Sequence, residues 1–167
     1  LFILFVKLFS FVPICPKSYI MRQCRRFHNM LLSFMSFIML VGITYSTYRN
    51  NKFQSLNNLL CKPYNYDIIA LSSSWMFLYS KYIEWGDTLF LHLSGKNISM
   101  LQYTHHMSTA LLVYIHLREF ISPLIYIYMA LNCFVHVLMY WYFAFPRGIL
   151  FKFRKLHPPT FKMKQAA

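Results

Sequence analysis

Hydrophobic residues in this chain come in long blocks, not in the short alternations of strands or the half-apolar stripes of soluble helices. Residues 1–14 are apolar apart from Lys7, and Pro13 and Pro16 close that stretch. A charge-free block covers 29–48, and further blocks cover 66–93, 100–117 and 120–145. About 20 apolar residues in a helix cross the ~30 Å hydrocarbon core of a bilayer. The four later blocks therefore predict spanning helices, and residues 1–14 predict the tail end of an earlier one. The connections at 94–99 and at Arg118 and Glu119 are short, so the last three helices should be antiparallel neighbours. The expected fold is all-α, a polytopic transmembrane helix bundle with residues 1–167 as a single membrane domain. No sheet is expected, because in lipid an open chain satisfies its backbone groups only as helix.

Composition strengthens this picture. Hydrophobic residues make up 57% of the chain and charged residues 13%, against roughly 45–50% and about 25% in soluble domains. Intrinsic disorder is excluded, and the acids Asp67, Glu84, Asp87 and Glu119 are too few to clothe a soluble surface. The net charge of +13 does not point to nucleic acid, because the bases sit in short runs between apolar blocks. Lys17, Arg22, Arg25 and Arg26, then Lys96, then Arg147, Lys152, Arg154, Lys155, Lys162 and Lys164 fall on one side of the expected membrane. Only Arg49, Lys52, Lys62 and Arg118 fall on the other. Positive charge favours the cytoplasm, so the basic tail and the Lys96 turn are expected there. Cys15, Cys24, Cys61 and Cys133 lack C-x-x-C spacing, so neither zinc nor a disulfide framework is indicated.

Polar residues inside the apolar blocks are the candidates for chemistry, since ionisable groups in a membrane helix are expensive. At about 100° per residue, Lys81, Glu84 and Thr88 share an arc of about 60°, which Asp87 widens to about 120°. This polar side is either an ion pair that holds helices together or a site for a polar or anionic ligand. Gln102, His105, His106 and Thr109 lie within about 100° of arc and put two imidazoles and an amide on one face. Asn132, His136 and Tyr140, at i, i+4 and i+8, form a third stripe. That stripe is either helix packing or, if the two histidine faces meet, part of one site.

Imidazole serves as metal ligand, proton carrier or nucleophile. His28, His92, His116 and His157 are scattered outside these groupings, so a di-iron centre is under-supplied with ligands. Acyl chemistry needs only two or three histidines. A histidine-dependent di-iron desaturase or hydroxylase stays open as an alternative. So does a proton-coupled transporter that uses His105, His136 and Glu84 as a relay.

The string Lys81-x-x-Glu84-x-x-Asp87-Thr88, then His105-His106, then Asn132-x-x-Val135-His136-x-x-Met139-Tyr140 resembles the ELO family of very-long-chain fatty-acid elongases in order and spacing. The segment from Arg25 to Gly42, with Asn29 and Ser33, is similar to the family's lead into its second helix. The resemblance covers roughly residues 20–145. It implies a seven-helix enzyme of the endoplasmic-reticulum membrane that joins a long-chain acyl-CoA to malonyl-CoA, releasing CO2 and CoA and leaving a 3-ketoacyl-CoA. By the same resemblance His105 is the nucleophile that accepts the acyl group. His106 and His136 orient it, move protons or stabilise the enolate. Lys81, Glu84, Asp87, Gln102, Asn132 and Tyr140 form the substrate-binding polar pocket. No cofactor or metal is implied beyond the two CoA substrates. The expected partners are membrane lipid and other enzymes of fatty-acid elongation, with no nucleic acid. Two departures stand out. Gln102 replaces the first histidine of the family's H-x-x-H-H box, and the chain reaches Thr160–Gln165 without the family's last two helices. The chain is therefore expected to be a fragment of a seven-helix elongase, inactive by itself.

Overall fold

The computed structural model describes residues 2–9, 19–50, 68–119 and 124–146. These residues form helices α1 (Phe2–Phe9), α2 (Tyr19–Arg49), α3 (Ile68–Leu93), α4 (Met100–Glu119) and α5 (Leu124–Ala144), with no strand among them. The all-α expectation holds. The expectations that concern Lys17, Lys52, Lys62, the tail from Arg147 onward and Thr160–Gln165 lie outside the described residues.

The start of α2 corrects the expected one by ten residues. Hydropathy predicts a helix from Asn29, but the helix begins at Tyr19. Arg22, Arg25 and Arg26 therefore stand exposed on its first turns instead of in a loop. At 1.5 Å per residue, its 31 residues span about 46 Å, more than the ~30 Å apolar core needs. The surplus is the charged end, where backbone bonding continues after the apolar block has stopped.

Among the described residues, α2 and α5 are the helices apolar enough, as well as long enough, to cross a membrane. Helices α3 and α4 have 26 and 20 residues, but their polar side chains dilute the apolar block. The two more polar helices are the ones expected to carry Lys81, Glu84 and Asp87 and Gln102, His105 and His106. In α3 those groups face inward, where Ser80, Lys81, Glu84 and Thr88 are buried.

The burial pattern of α2 is the reverse of a soluble helix. Asn29, Ser33, Ser36, Ser46 and Thr47 are buried, whereas Phe34, Phe37, Ile38, Val41 and Tyr45 are exposed. Small and weakly polar side chains, together with Leu32, Met39 and Ile43, face neighbouring helices while most large apolar ones face outward, as in bundles packed within lipid. Ser33 Oγ donates to the carbonyl of Val137 at 3.0 Å and ties α2 to α5. At Gly42 a methyl group would lie 2.5 Å from Ser73 Oγ, so glycine lets α2 and α3 approach closely.

A tight turn joins α3 to α4. The amide of Lys96 donates to the carbonyl of Leu91 (3.0 Å) and the amide of Gly95 to that of His92 (2.9 Å). This is the pair of bonds of a Schellman cap, which needs a left-handed residue, and Gly95 supplies it at φ 70°. Ser99 then opens α4, its hydroxyl accepting from the Gln102 amide at 3.1 Å.

Helix α2 packs on both α3 and α5, α3 also packs on α4, and α1 lies against α3. The core is layered along the bundle. Met39, Ile43, Ala70, Phe77, Val113, Met129 and Cys133 form an apolar half. Lys81, Glu84, His106 and His136 come from the second halves of α3 and α5 and the first half of α4, which antiparallel packing brings to one level, whereas Ser46, Ser73, Ser74 and His116 are buried elsewhere. That level lies toward the Gly95 turn.

Candidate functional site

Glu84 on α3 is the hub of the polar half. Its Oε1 accepts from Lys81 Nζ at 2.8 Å, one turn earlier on the same helix. The same oxygen lies 3.2 Å from His136 Nδ1 on α5. A carboxylate can only accept, so Nδ1 of His136 carries the proton and its Nε2 is left as the acceptor. Glu84 Oε2 faces His106 Nδ1 on α4 at 4.0 Å, and neither of these two atoms has a hydrogen-bonding partner among the described residues. One carboxylate thus addresses imidazoles on two other helices.

Lys81 is fully buried and its ammonium is satisfied on three sides. It donates to Glu84, donates to Asn132 Oδ1 at 2.8 Å and sits 4.3 Å above the ring of Phe77. A buried ammonium is tolerable only when paired and hydrogen-bonded in this way. Lys81, Glu84 and Asn132, expected as substrate-binding residues, bond here to one another across α3 and α5.

The three expected histidines converge. The rings of His105 and His106 have centroids 5.7 Å apart, and those of His105 and His136 lie 6.5 Å apart. His105 is half-buried whereas His106 and His136 are buried. His105 is therefore the more accessible imidazole. Thr109 Oγ1 donates back to the carbonyl of His105 at 2.7 Å, which takes Thr109 out of the site. Phe2 of α1 covers His106, with ring centroids 5.9 Å apart, and stacks on Trp85 and Tyr103 at 5.2 and 5.3 Å.

Gln102, Asp87 and Tyr140 lie around this centre. Gln102 Nε2 donates to Thr88 Oγ1 at 3.3 Å, bridging α4 to α3. Asp87 has both oxygens engaged: Tyr140 donates its phenol proton to Oδ2 at 2.6 Å, and His28 Nε2 bonds Oδ1 at 3.1 Å. Sequence reasoning missed His28. It lies just ahead of the charge-free block at 29–48, so hydropathy places it outside the predicted helix. Among the described residues no group of three His, Cys, Asp or Glu side chains is arranged to hold a metal ion.

Comparison with known proteins agrees with the sequence motifs. A family model described as ELO: GNS1/SUR4 family matches residues 1–160. Fatty acid elongase A of Dictyostelium discoideum is 33% identical over 92 residues, which is 55% of this chain and 34% of that protein. Fatty acid elongase sre1 of the same organism is 30% identical over 94 residues, 55% of this chain and 35% of the relative. The match thus spans about a third of the length of each relative. No solved structure matches the chain.

Proposed function

The chain belongs to the ELO: GNS1/SUR4 family, and on that premise we propose that the protein is a fatty-acid elongase whose His105 carries the acyl group. The reaction condenses a long-chain acyl-CoA with malonyl-CoA to a 3-ketoacyl-CoA. The observation that carries this reading is the convergence of His105, His106 and His136, from two helices, with the last two facing the buried carboxylate of Glu84. The names of the relatives, fatty acid elongases, support it.

In the first half-reaction an imidazole nitrogen of His105 attacks the thioester carbonyl. The carbon–sulfur bond breaks, the imidazole proton passes to the leaving thiolate, and CoA departs. In the second, malonyl-CoA loses CO2 and the freed electron pair becomes an enolate. The enolate carbon attacks the acyl carbonyl, the carbon–nitrogen bond breaks, and His105 takes up one proton. Each turnover therefore draws one proton from solution. His136, with Nδ1 held on Glu84 and Nε2 open, is suited to pass that proton. Lys81 holds the Glu84 carboxylate in place by a hydrogen bond, and Asn132 holds Lys81. By the same reading the protein sits in the endoplasmic-reticulum membrane, with its basic tail in the cytoplasm, beside the other enzymes of fatty-acid elongation.

The test is mass spectrometry of the full-length protein after incubation with long-chain acyl-CoA alone. The expected result is release of CoA and a mass increase equal to the acyl group, both abolished by His105→Ala. An unmodified protein that still forms 3-ketoacyl-CoA when malonyl-CoA is added would overturn the covalent role of His105. Absence of that product would overturn the elongase reading.

A further inference from the structure

Four observations concern His28, a residue outside the three polar groupings on α3, α4 and α5. First, it is mostly buried and bonds Asp87 across 59 positions of sequence. Second, it is seated by Gly86: a methyl group at that position would lie 2.8 Å from its Cε1 and 3.3 Å from its Nε2. Third, the ring of Phe90 meets it edge-on at 5.2 Å, so α3 contacts the imidazole through Gly86, Asp87 and Phe90. Fourth, the other oxygen of Asp87 takes the phenol proton of Tyr140, whose ring stands edge-on against His136 at 5.3 Å.

These contacts form a line from α2 through α3 to α5 that ends on an imidazole of the candidate site. Both oxygens of Asp87 are engaged by these partners. Tyr140 is buried, with its hydroxyl on Asp87 and its ring on His136. A rotation of the Tyr140 ring would shift the wall against which His136 packs. Glu84 anchors His136 at Nδ1 alone, which leaves the tilt of the ring about that bond to its packing.

We propose that His28 is a positioning residue, which through Asp87 and Tyr140 sets the orientation of the His136 ring. This inference deepens the elongase reading and rests on it for its kinetic arm only. Its role is mechanical: His28 fixes Asp87, Asp87 fixes the Tyr140 hydroxyl, and Tyr140 holds the ring.

The experiment compares wild type with His28→Ala, His28→Gln, Gly86→Ala and Tyr140→Phe. Misplacement of a group that takes part in proton transfer should lower kcat by about tenfold or more while KM for both CoA substrates stays within about twofold. His28→Ala, Gly86→Ala and Tyr140→Phe should all show this split. His28→Gln, which keeps an N–H donor for Asp87, should recover most of kcat. A purely structural role would lower the amount of folded protein and leave kcat per folded molecule unchanged, and that result would overturn the inference. The second arm needs no elongase activity. Carbethoxylation of His136 by diethyl pyrocarbonate, mapped by mass spectrometry, should be faster in His28→Ala and Tyr140→Phe than in wild type and His28→Gln. Equal rates in all four proteins would overturn the inference even if wild type makes no 3-ketoacyl-CoA, in which case the elongase reading fails separately. If His28→Ala does not fold, Tyr140→Phe decides both arms, because it deletes one oxygen and keeps the ring.

Discussion

The ammonium of Lys81 lies 2.8 Å from Oε1 of Glu84, and both side chains are withdrawn from the surface. Breaking a buried pair by removing one partner leaves an uncompensated charge and costs about 3–5 kcal/mol. Lys81→Met should therefore lower stability by that order in a detergent unfolding assay. The double variant Lys81→Met with Glu84→Gln should regain most of it, because no buried charge remains. Stability that stays low in the double variant would mean that Asn132 and the Phe77 ring, not Glu84, are the partners that matter to Lys81.

Glu84→Gln alone separates orientation from folding. A glutamine keeps a carbonyl oxygen for Lys81 and for the Nδ1–H of His136 but loses the charge, so its hold on the imidazole is weaker. Loss of a positioned proton-transfer group should reduce kcat by about 10²- to 10⁴-fold. The acyl-enzyme, which needs only His105, should still form. Absence of the acyl-enzyme in a folded Glu84→Gln protein would place Glu84 in the first half-reaction instead.

Two glycines on helix faces should respond differently to alanine. At Gly42 the obstacle is Ser73 Oγ, 2.5 Å from the added methyl, and a serine hydroxyl can rotate away. Alanine also gains about 1 kcal/mol of helix propensity over glycine, so Gly42→Ala should be close to neutral. At Gly86 the obstacle is the His28 ring, which cannot retreat without lengthening its 3.1 Å bond to Asp87. Overpacking of this kind costs about 1–3 kcal/mol, so Gly86→Ala should be clearly destabilising. Unfolding midpoints of the two variants side by side check the ranking.

Gln102→His restores the histidine that the family box carries at this position. Gln102 is bonded to Thr88 at 3.3 Å at the half-buried mouth of α4 and touches no histidine through a hydrogen bond. The substitution should leave the rate of 3-ketoacyl-CoA formation unchanged or raise it. A steady-state assay on the two proteins checks this, and a fall in rate would show that the amide bridge to Thr88 matters more than a third imidazole.

Much of the architecture was legible in the one-dimensional pattern. The blocks read as 66–93, 100–117 and 120–145 became Ile68–Leu93, Met100–Glu119 and Leu124–Ala144. Apolar runs bounded by Gly95 and by Ser99 determine where a backbone in lipid must close its own hydrogen bonds. Helical periodicity likewise put Lys81 with Glu84, and His105 with His106, on shared faces. The start of α2 was not legible, because hydropathy marks where lipid ends and is blind to helix that continues into water past Arg26, Arg25 and Arg22.

What only the tertiary structure decided is which face meets which. Periodicity fixes neither the rotation of a helix about its axis nor the axial offset of its neighbours. The meeting of Glu84 with His136 on α5, of Lys81 with Asn132, and of Asp87 with Tyr140 and His28 depended on both. The sequence by itself determined the helices and the polar groups each must shelter. Packing determined the partners, because in a membrane an inward polar atom is stabilised by whatever complementary group a neighbouring helix offers.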